Sequence, residues 1–205
     1  MEKLPDASRK RLLLLAEILS DIKEKTVTSK KLAELSLQKE TSIRKDISFL
    51  EGISAGKKNG YSVEELKNII EKELNISRKT GIHNCCIVGL DSLGQAFMER
   101  DNFNGTPFNL AAGFDTNQNR LDLIKSKIPL FPTLDLEKII RRLNIEFAIL
   151  TVQNEKALAM AERLEKYGIK GIINCTDEIL HLSKKTYVYN ASLPSMLKIM
   201  LSEFR

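Results

Sequence analysis

Gly89 and Gly94 stand behind a short apolar run, Cys85-Cys86-Ile87-Val88, and a helical pattern sets in from Leu93. Strand, glycine turn and helix in that order open a βαβ unit of the dinucleotide-binding kind, spelled G-x-G-x-x-G when complete. Here Asp91 takes the place of the middle glycine, the one that lets backbone approach the pyrophosphate. A carboxylate at ~4 Å from a phosphate charge, at an effective dielectric of about 20, costs about 4 kcal/mol per contact before relaxation. A quarter of that for two phosphates, about 2 kcal/mol, is already more than tenfold in affinity. Asp91 or Ser92 could instead satisfy the helix N-terminus from within, as a substitute for phosphate. Asp115, about 20 residues beyond the turn at the end of Asn109–Phe114, stands where the ribose hydroxyls of NAD are read. A carboxylate there favours NAD over NADP, whose 2′-phosphate it would repel.

Other reactive side chains are sparse. His83 precedes the first strand and His181 lies in the surface-like Ile179-Leu180-His181-Leu182, so neither is placed as a proton donor. Cys175 follows the strand-like Gly171–Asn174 with no histidine evidently paired to it, and Cys85 and Cys86 lie within a strand as core. No metal-ligand spacing is present. No catalytic residue is assigned, although a small NAD-dependent oxidoreductase is the rival reading of the glycine turn.

A second chemistry is concentrated at the start. From Met1 to Gly60 there are 13 Lys/Arg against 9 Asp/Glu, so most of the chain's net charge of +5 lies in less than a third of its length. That bias points to a polyanion. Within it, Thr41, Arg44, Lys45 and Ser48 face away from the apolar stripe Ile43/Ile47, and Lys57 and Lys58 sit at a Gly-Lys-Lys-Asn-Gly tip. Hydrogen-bonding and cationic groups on one helix face suit base edges and phosphates of double-stranded DNA. The same small helical segment would also serve as a docking domain.

The elements that must carry these residues follow from periodicity. Asp6 can cap a first helix with Leu12, Leu15, Ile18, Leu19 and Ile22 on its apolar side. Ser29 can cap a short helix, Lys30–Leu35, and after a turn a second runs over Glu40–Leu50, which is helix-turn-helix spacing. Ile53 to Tyr61 reads as a two-stranded wing, and Ser62 with Glu65 makes a capping box for a helix over Val63–Leu74. The polar Ile76–His83 is a linker, with the boundary near residue 80. Beyond it, strands at Cys85–Val88, Asn109–Phe114, Phe147–Val152, Gly171–Asn174 and a weaker Thr186–Val188 alternate with helices at Leu93–Arg100, Leu134–Leu143 and Lys156–Tyr167. Such alternation predicts a doubly wound parallel sheet. The last helix, Ser192–Phe204, carries a broad apolar side suited to its own domain or to a partner subunit. The expected class is therefore α/β: an N-terminal winged helix-turn-helix domain (1–79), a Rossmann-like doubly wound parallel sheet (80–190) and a C-terminal dimerisation helix (191–205).

The 42% hydrophobic content is that of a globular protein with a core. No apolar run approaches the ~20 residues of a membrane span, and the N-terminal segment lacks the pattern of a secretion signal. Three cysteines make no disulfide framework, so a cytoplasmic location is expected.

These features together resemble the Rex family of redox-sensing transcriptional repressors, over nearly the whole chain. The most specific pieces are Ile43-Arg44-Lys45-Asp46-Ile47-Ser48-Phe49, close to that family's VRKDLSYF, and Gly60-Tyr61-Ser62-Val63-Glu64-Glu65-Leu66, close to its GYxVEEL. Phe114-Asp115, Ile149-Leu150-Thr151-Val152, Gly168-Ile169-Lys170-Gly171-Ile172 and Val188-Tyr189-Asn190 add weaker echoes. The resemblance implies a homodimer with C-terminal helices swapped between subunits, binding a palindromic operator and released from it by NADH, whereas NAD+ permits binding. It places Arg44 and Lys45 at the operator, with Lys57 in the wing where the family has arginine. It frames the NAD(H) cofactor with Gly89, Leu93, Gly94 and Asp115, and sets Thr151 and Asn174 along the cleft.

Three positions depart from the family, all on the sensing side. Its phosphate turn GAGNLG is Gly89-Leu90-Asp91-Ser92-Leu93-Gly94 here, and its proline after Thr-Val is Gln153. Its aspartate near the start of the swapped helix, the partner of the first-helix arginine, aligns with Ser192, which would leave Arg11 without an anionic partner. The expectation is a divergent member with an intact DNA-reading motif and weakened, altered or lost ligand response.

Overall fold

The computed structural model describes residues 4–53, 60–99, 103–183, 185–202 and 204. Two compact units divide between Gly81 and Ile82.

In the first unit, helix α1 spans Asp6–Asp21 and buries Leu12, Leu15, Ala16 and Leu19. Its cap is Pro5, whose φ of −59° is already suited to entering a helix, so Asp6 is the first helical residue and not the cap. Helix α2 (Ser29–Ser36) is capped by Thr28, whose hydroxyl accepts from Lys31 N–H at 3.2 Å. Ser29, the expected cap, lies one residue inside, and its hydroxyl donates to Glu40 at 2.8 Å. Leu37 turns the chain in a left-handed conformation into helix α3 (Glu40–Ser48), which buries Ile43, Asp46 and Ile47. Strand β1 (Thr26–Val27) pairs antiparallel with β2 (Tyr61–Ser62). Gly60 lies against β1 so closely that a Cβ would sit 2.5 Å from Val27 O, which only glycine permits. The expected wing tip, with Lys57 and Lys58, lies outside the described residues. Ser62 then caps helix α4 (Val63–Glu73) through Glu65 N–H. These elements bury one shared core, from Leu12 and Leu32 to Ile43, Leu66 and Ile70.

In the second unit, six parallel strands run in the order β5-β4-β3-β6-β7-β8: β3 His83–Val88, β4 Phe108–Asp115, β5 Leu130–Pro132, β6 Ile145–Leu150, β7 Gly171–Asn174 and β8 Tyr187–Asn190. Helices α5 (Ser92–Glu99), α6 (Gln118–Leu123), α7 (Leu136–Arg142), α8 (Asn154–Lys166) and α9 (Leu193–Ser202) complete it. The strand order reverses direction at β3 and β6, so their carboxyl ends open the crevice where such sheets bind ligands. The near-continuous apolar strands have cores on both faces, one around Phe114 and Leu150, the other around Ile87, Leu90 and Ile149. Two elements carry no sequence-level expectation, β5 and α6. Each is short, and Pro132 is tolerated because β5 is an edge strand. Helix α9 buries none of its residues: Leu193, Leu197, Ile199 and Leu201 are all exposed.

Among the described residues no helix is long and apolar enough to cross a membrane.

Candidate functional site

The crevice is built around the glycine turn. Gly89 adopts φ +98°, in the left-handed region, and a Cβ there would meet Thr151 C and O at 2.7 Å. Gly94, in the first turns of α5, is so close to the turn that a Cβ would lie 2.0 Å from Gly89 O. Thr151, 5% exposed, donates its hydroxyl to Gly89 O at 2.7 Å. Gly89, Gly94 and Thr151 thus lock the end of β3 to the end of β6 and aim the start of α5 into the crevice. Thr151 spends its hydroxyl on that lock and not on the opening.

Asp115 closes the same end of the sheet and is 3% exposed. Its Oδ2 accepts from Leu90 N–H and from Arg120 Nη1, each at 2.7 Å, and its Oδ1 accepts from Asn117 N–H at 2.8 Å. Burial pushes its carboxyl up, but the Asn117 and Leu90 amides with the Arg120 guanidinium more than offset this and hold it below the usual range. The residue placed as a ribose reader therefore holds the phosphate turn by Leu90. Leu93 is exposed on the first turn of α5. Asn174 is fully buried and saturated: its amide donates to Glu178 O and to Asn190 Oδ1, and its Oδ1 accepts from Thr176 N–H and Oγ1. Its polar atoms are used by the loop after β7.

A cavity of about 210 Å³ opens here, lined by Gly89, Asp91, Asp115, Arg120, Gln153 and Lys156 among others. Asp91 reaches it half-exposed, and among the described residues its carboxylate makes no hydrogen bond or ion pair, so it does not cap α5 in place of a phosphate. Among the described residues, Arg120 and Lys156 are the cations of this opening, and the periodicity did not single them out. A signal for Arg120 existed in its place five residues after Asp115; Lys156 offered none beyond the first turn of a helix.

Redox or acid–base groups are remote or quiet. Burial raises all three cysteines, Cys85 to about 11. His83 pairs with Glu146, which also takes Lys170, at the opposite end of the strands, and His181 is exposed. Among the described residues no group of three or more His, Cys, Asp or Glu could hold a metal.

The other candidate surface is α3. Thr41, Arg44, Lys45 and Ser48 are all exposed, opposite buried Ile43 and Ile47. Arg44 donates to Glu40 at 2.7 Å and to Ser29 at 3.1 Å, and Ser48 donates to Lys45 O at 2.6 Å. The Ser29 hydroxyl, aided by Arg44, holds the Glu40 carboxyl below its usual range. Arg44 is thus pre-extended along the helix, with its side chain 67% exposed. Asp46, on the inner side, is fully buried and takes both Nε and Nη2 of Arg11, at 2.6 and 2.8 Å. The expectation that Arg11 lacks an anionic partner is corrected: the guanidinium is satisfied by Asp46 inside its own unit. That bidentate pair fastens α1 to α3.

Comparison with known proteins covers both units. The CoA binding domain family matches residues 80–177. The redox-sensing transcriptional repressor Rex of Limosilactobacillus reuteri is 31% identical over 98% of this chain and 93% of its own length. That of Listeria monocytogenes is 28% identical over 97% of this chain and 92% of its own length. Among solved structures, RSP, a Rex-family repressor, in complex with NAD+ and operator DNA superposes with a TM-score of 0.87 at 28% identity, covering 99% of this chain and 93% of that one. RSP with NADH gives 0.82, covering 99% and 95%.

Proposed function

Given that the chain belongs to the Rex family of redox-sensing transcriptional repressors, we propose that it represses transcription as a homodimer on a palindromic operator, with NAD(H) in the crevice as its signal. The observation that carries this reading is the pairing, in one chain, of an exposed polar face on α3 with a glycine-locked dinucleotide crevice. Thr41, Arg44, Lys45 and Ser48 read the operator, and Lys57 and Lys58 contact its phosphates. Gly89, Leu93 and Gly94 carry the dinucleotide, while Asp115, Thr151 and Asn174 hold the walls that shape its place. The exposed apolar side of α9 supports a second copy as its cover.

For the DNA half, anisotropy with duplexes selected from a random library tests the reading. Lys45→Ala with Lys57→Ala is expected to weaken binding to every duplex and to lower the salt slope by about two. An unchanged slope removes both lysines from the interface.

For the sensing half, Asp91→Gly is expected to tighten NADH by more than about tenfold, because it takes a carboxylate away from the pyrophosphate. Calorimetry checks it; equal affinities would mean that Asp91 swings clear of the phosphates. The reading assigns no catalytic role, in keeping with relatives named as repressors. Hydride transfer to any carbonyl substrate would favour the small oxidoreductase instead.

A further inference from the structure

We propose that the crevice also accepts a dinucleotide bearing a 2′-phosphate on its adenosine ribose, NADP(H), with Arg120 as the residue that holds this phosphate. The proposal rests on the reading of the crevice as a nicotinamide dinucleotide site and names a second ligand class for it.

A carboxylate at the end of the second strand ordinarily excludes a 2′-phosphate and selects the free diol. Asp115 is poorly placed to do either. It is 3% exposed, and three of its roughly four acceptor positions are taken by Leu90 N–H, Asn117 N–H and Arg120. One acceptor position remains, so a diol held through both hydroxyls must displace one of these donors, two of which belong to the backbone that shapes the turn. Arg120 is the exchangeable one: its side chain is 35% exposed and, among the described residues, only Nη1 is engaged. A planar guanidinium with spare donors is matched to a phosphate.

The surroundings favour the same ligand. Arg120 and Asn117 line both the 210 Å³ crevice and a neighbouring cavity of about 600 Å³ between α5 and α6. That second cavity is also lined by Lys125 and Lys127, so three cations face one carboxylate, Glu99, among its described residues. A phosphate leaving the ribose toward Arg120 enters a cationic space, and Asp115 keeps its two amide donors.

Titration of the purified full chain with NADH and NADPH, read by reduced-nicotinamide fluorescence, tests this. The two Kd values are expected to lie within about tenfold of each other. Arg120→Ala should weaken NADPH by at least about tenfold more than it weakens NADH, the loss of one charge-assisted hydrogen bond to the 2′-phosphate beyond the loss of its pair with Asp115. Arg120→Lys should restore part of the NADPH affinity, and Lys125→Ala with Lys127→Ala should lower it alone. Adenosine 2′,5′-bisphosphate and 5′-AMP bring the same 5′-phosphate toward Asp91, so its effect cancels between them; the bisphosphate should bind more tightly and lose that margin in Arg120→Ala. A wild-type preference for NADH above about a hundredfold overturns the proposal, as does equal weakening of both cofactors by Arg120→Ala, which would make Arg120 a prop for Asp115 only. If no variant binds either dinucleotide while circular dichroism shows the fold intact, the crevice reading itself has failed and the proposal falls with it.

Discussion

Arg11→Ala is expected to destabilise the N-terminal unit by about 3–4 kcal/mol, seen as faster hydrogen exchange throughout α1 and α3. The magnitude comes from what is left behind. Asp46 is fully buried and both of its oxygens take the Arg11 guanidinium, so truncating the arginine strands a carboxylate without counter-charge. Asp46→Asn should cost less, about 1–2 kcal/mol, because the guanidinium, 25% exposed, can be rehydrated. The double variant should be milder than Arg11→Ala alone. Equal costs for the two single variants would mean that burial of the pair is not what makes it matter.

Gly94→Ala should cost the C-terminal unit about 3 kcal/mol and take dinucleotide affinity down by more than about tenfold. The problem is space and not backbone freedom, since Gly94 lies in a regular helix. Its Cβ would lie 2.0 Å from Gly89 O and 3.1 Å from Thr151 Oγ1. A backbone oxygen cannot step aside as the end of a long side chain can, so α5 must retreat by about 1 Å. That retreat carries the α5 amides out of hydrogen-bond range of a phosphate. Thermal unfolding and NADH titration of the variant check both effects. The exposed Ala96→Ser on the same helix should stay within about 0.5 kcal/mol of the parent.

The parts of this molecule written in local pattern are legible in its amino-acid sequence. The glycine spacing at Gly89 and Gly94, the Ile43/Ile47 stripe and the Ser62 cap each depend on residues within a turn or two of one another. Elements too short to show a period escape: β5 has three residues and α6 six. Caps shift by one residue at Thr28 and Pro5, because several neighbouring side chains could serve and tertiary contacts decide. Ser29 is drawn to Glu40, eleven positions away. The site itself is half legible. Asp115 stands at the position its spacing implies, but its saturation by Leu90, Asn117 and Arg120 depends on a fold that brings residues 25 apart together. Arg11 and Asp46 are 35 residues apart, and no spacing rule joins them.

Helix α9 has ten residues and buries none of them. A lone helix of that length is marginal in water, so its persistence is borrowed from whatever lies against it. If a second copy is that cover, protein concentration becomes a control variable by mass action. On dilution, amides in α9 should lose exchange protection while those in β3 and β6 keep theirs, and a cell holding few copies would sit near the threshold at which the regulator comes apart.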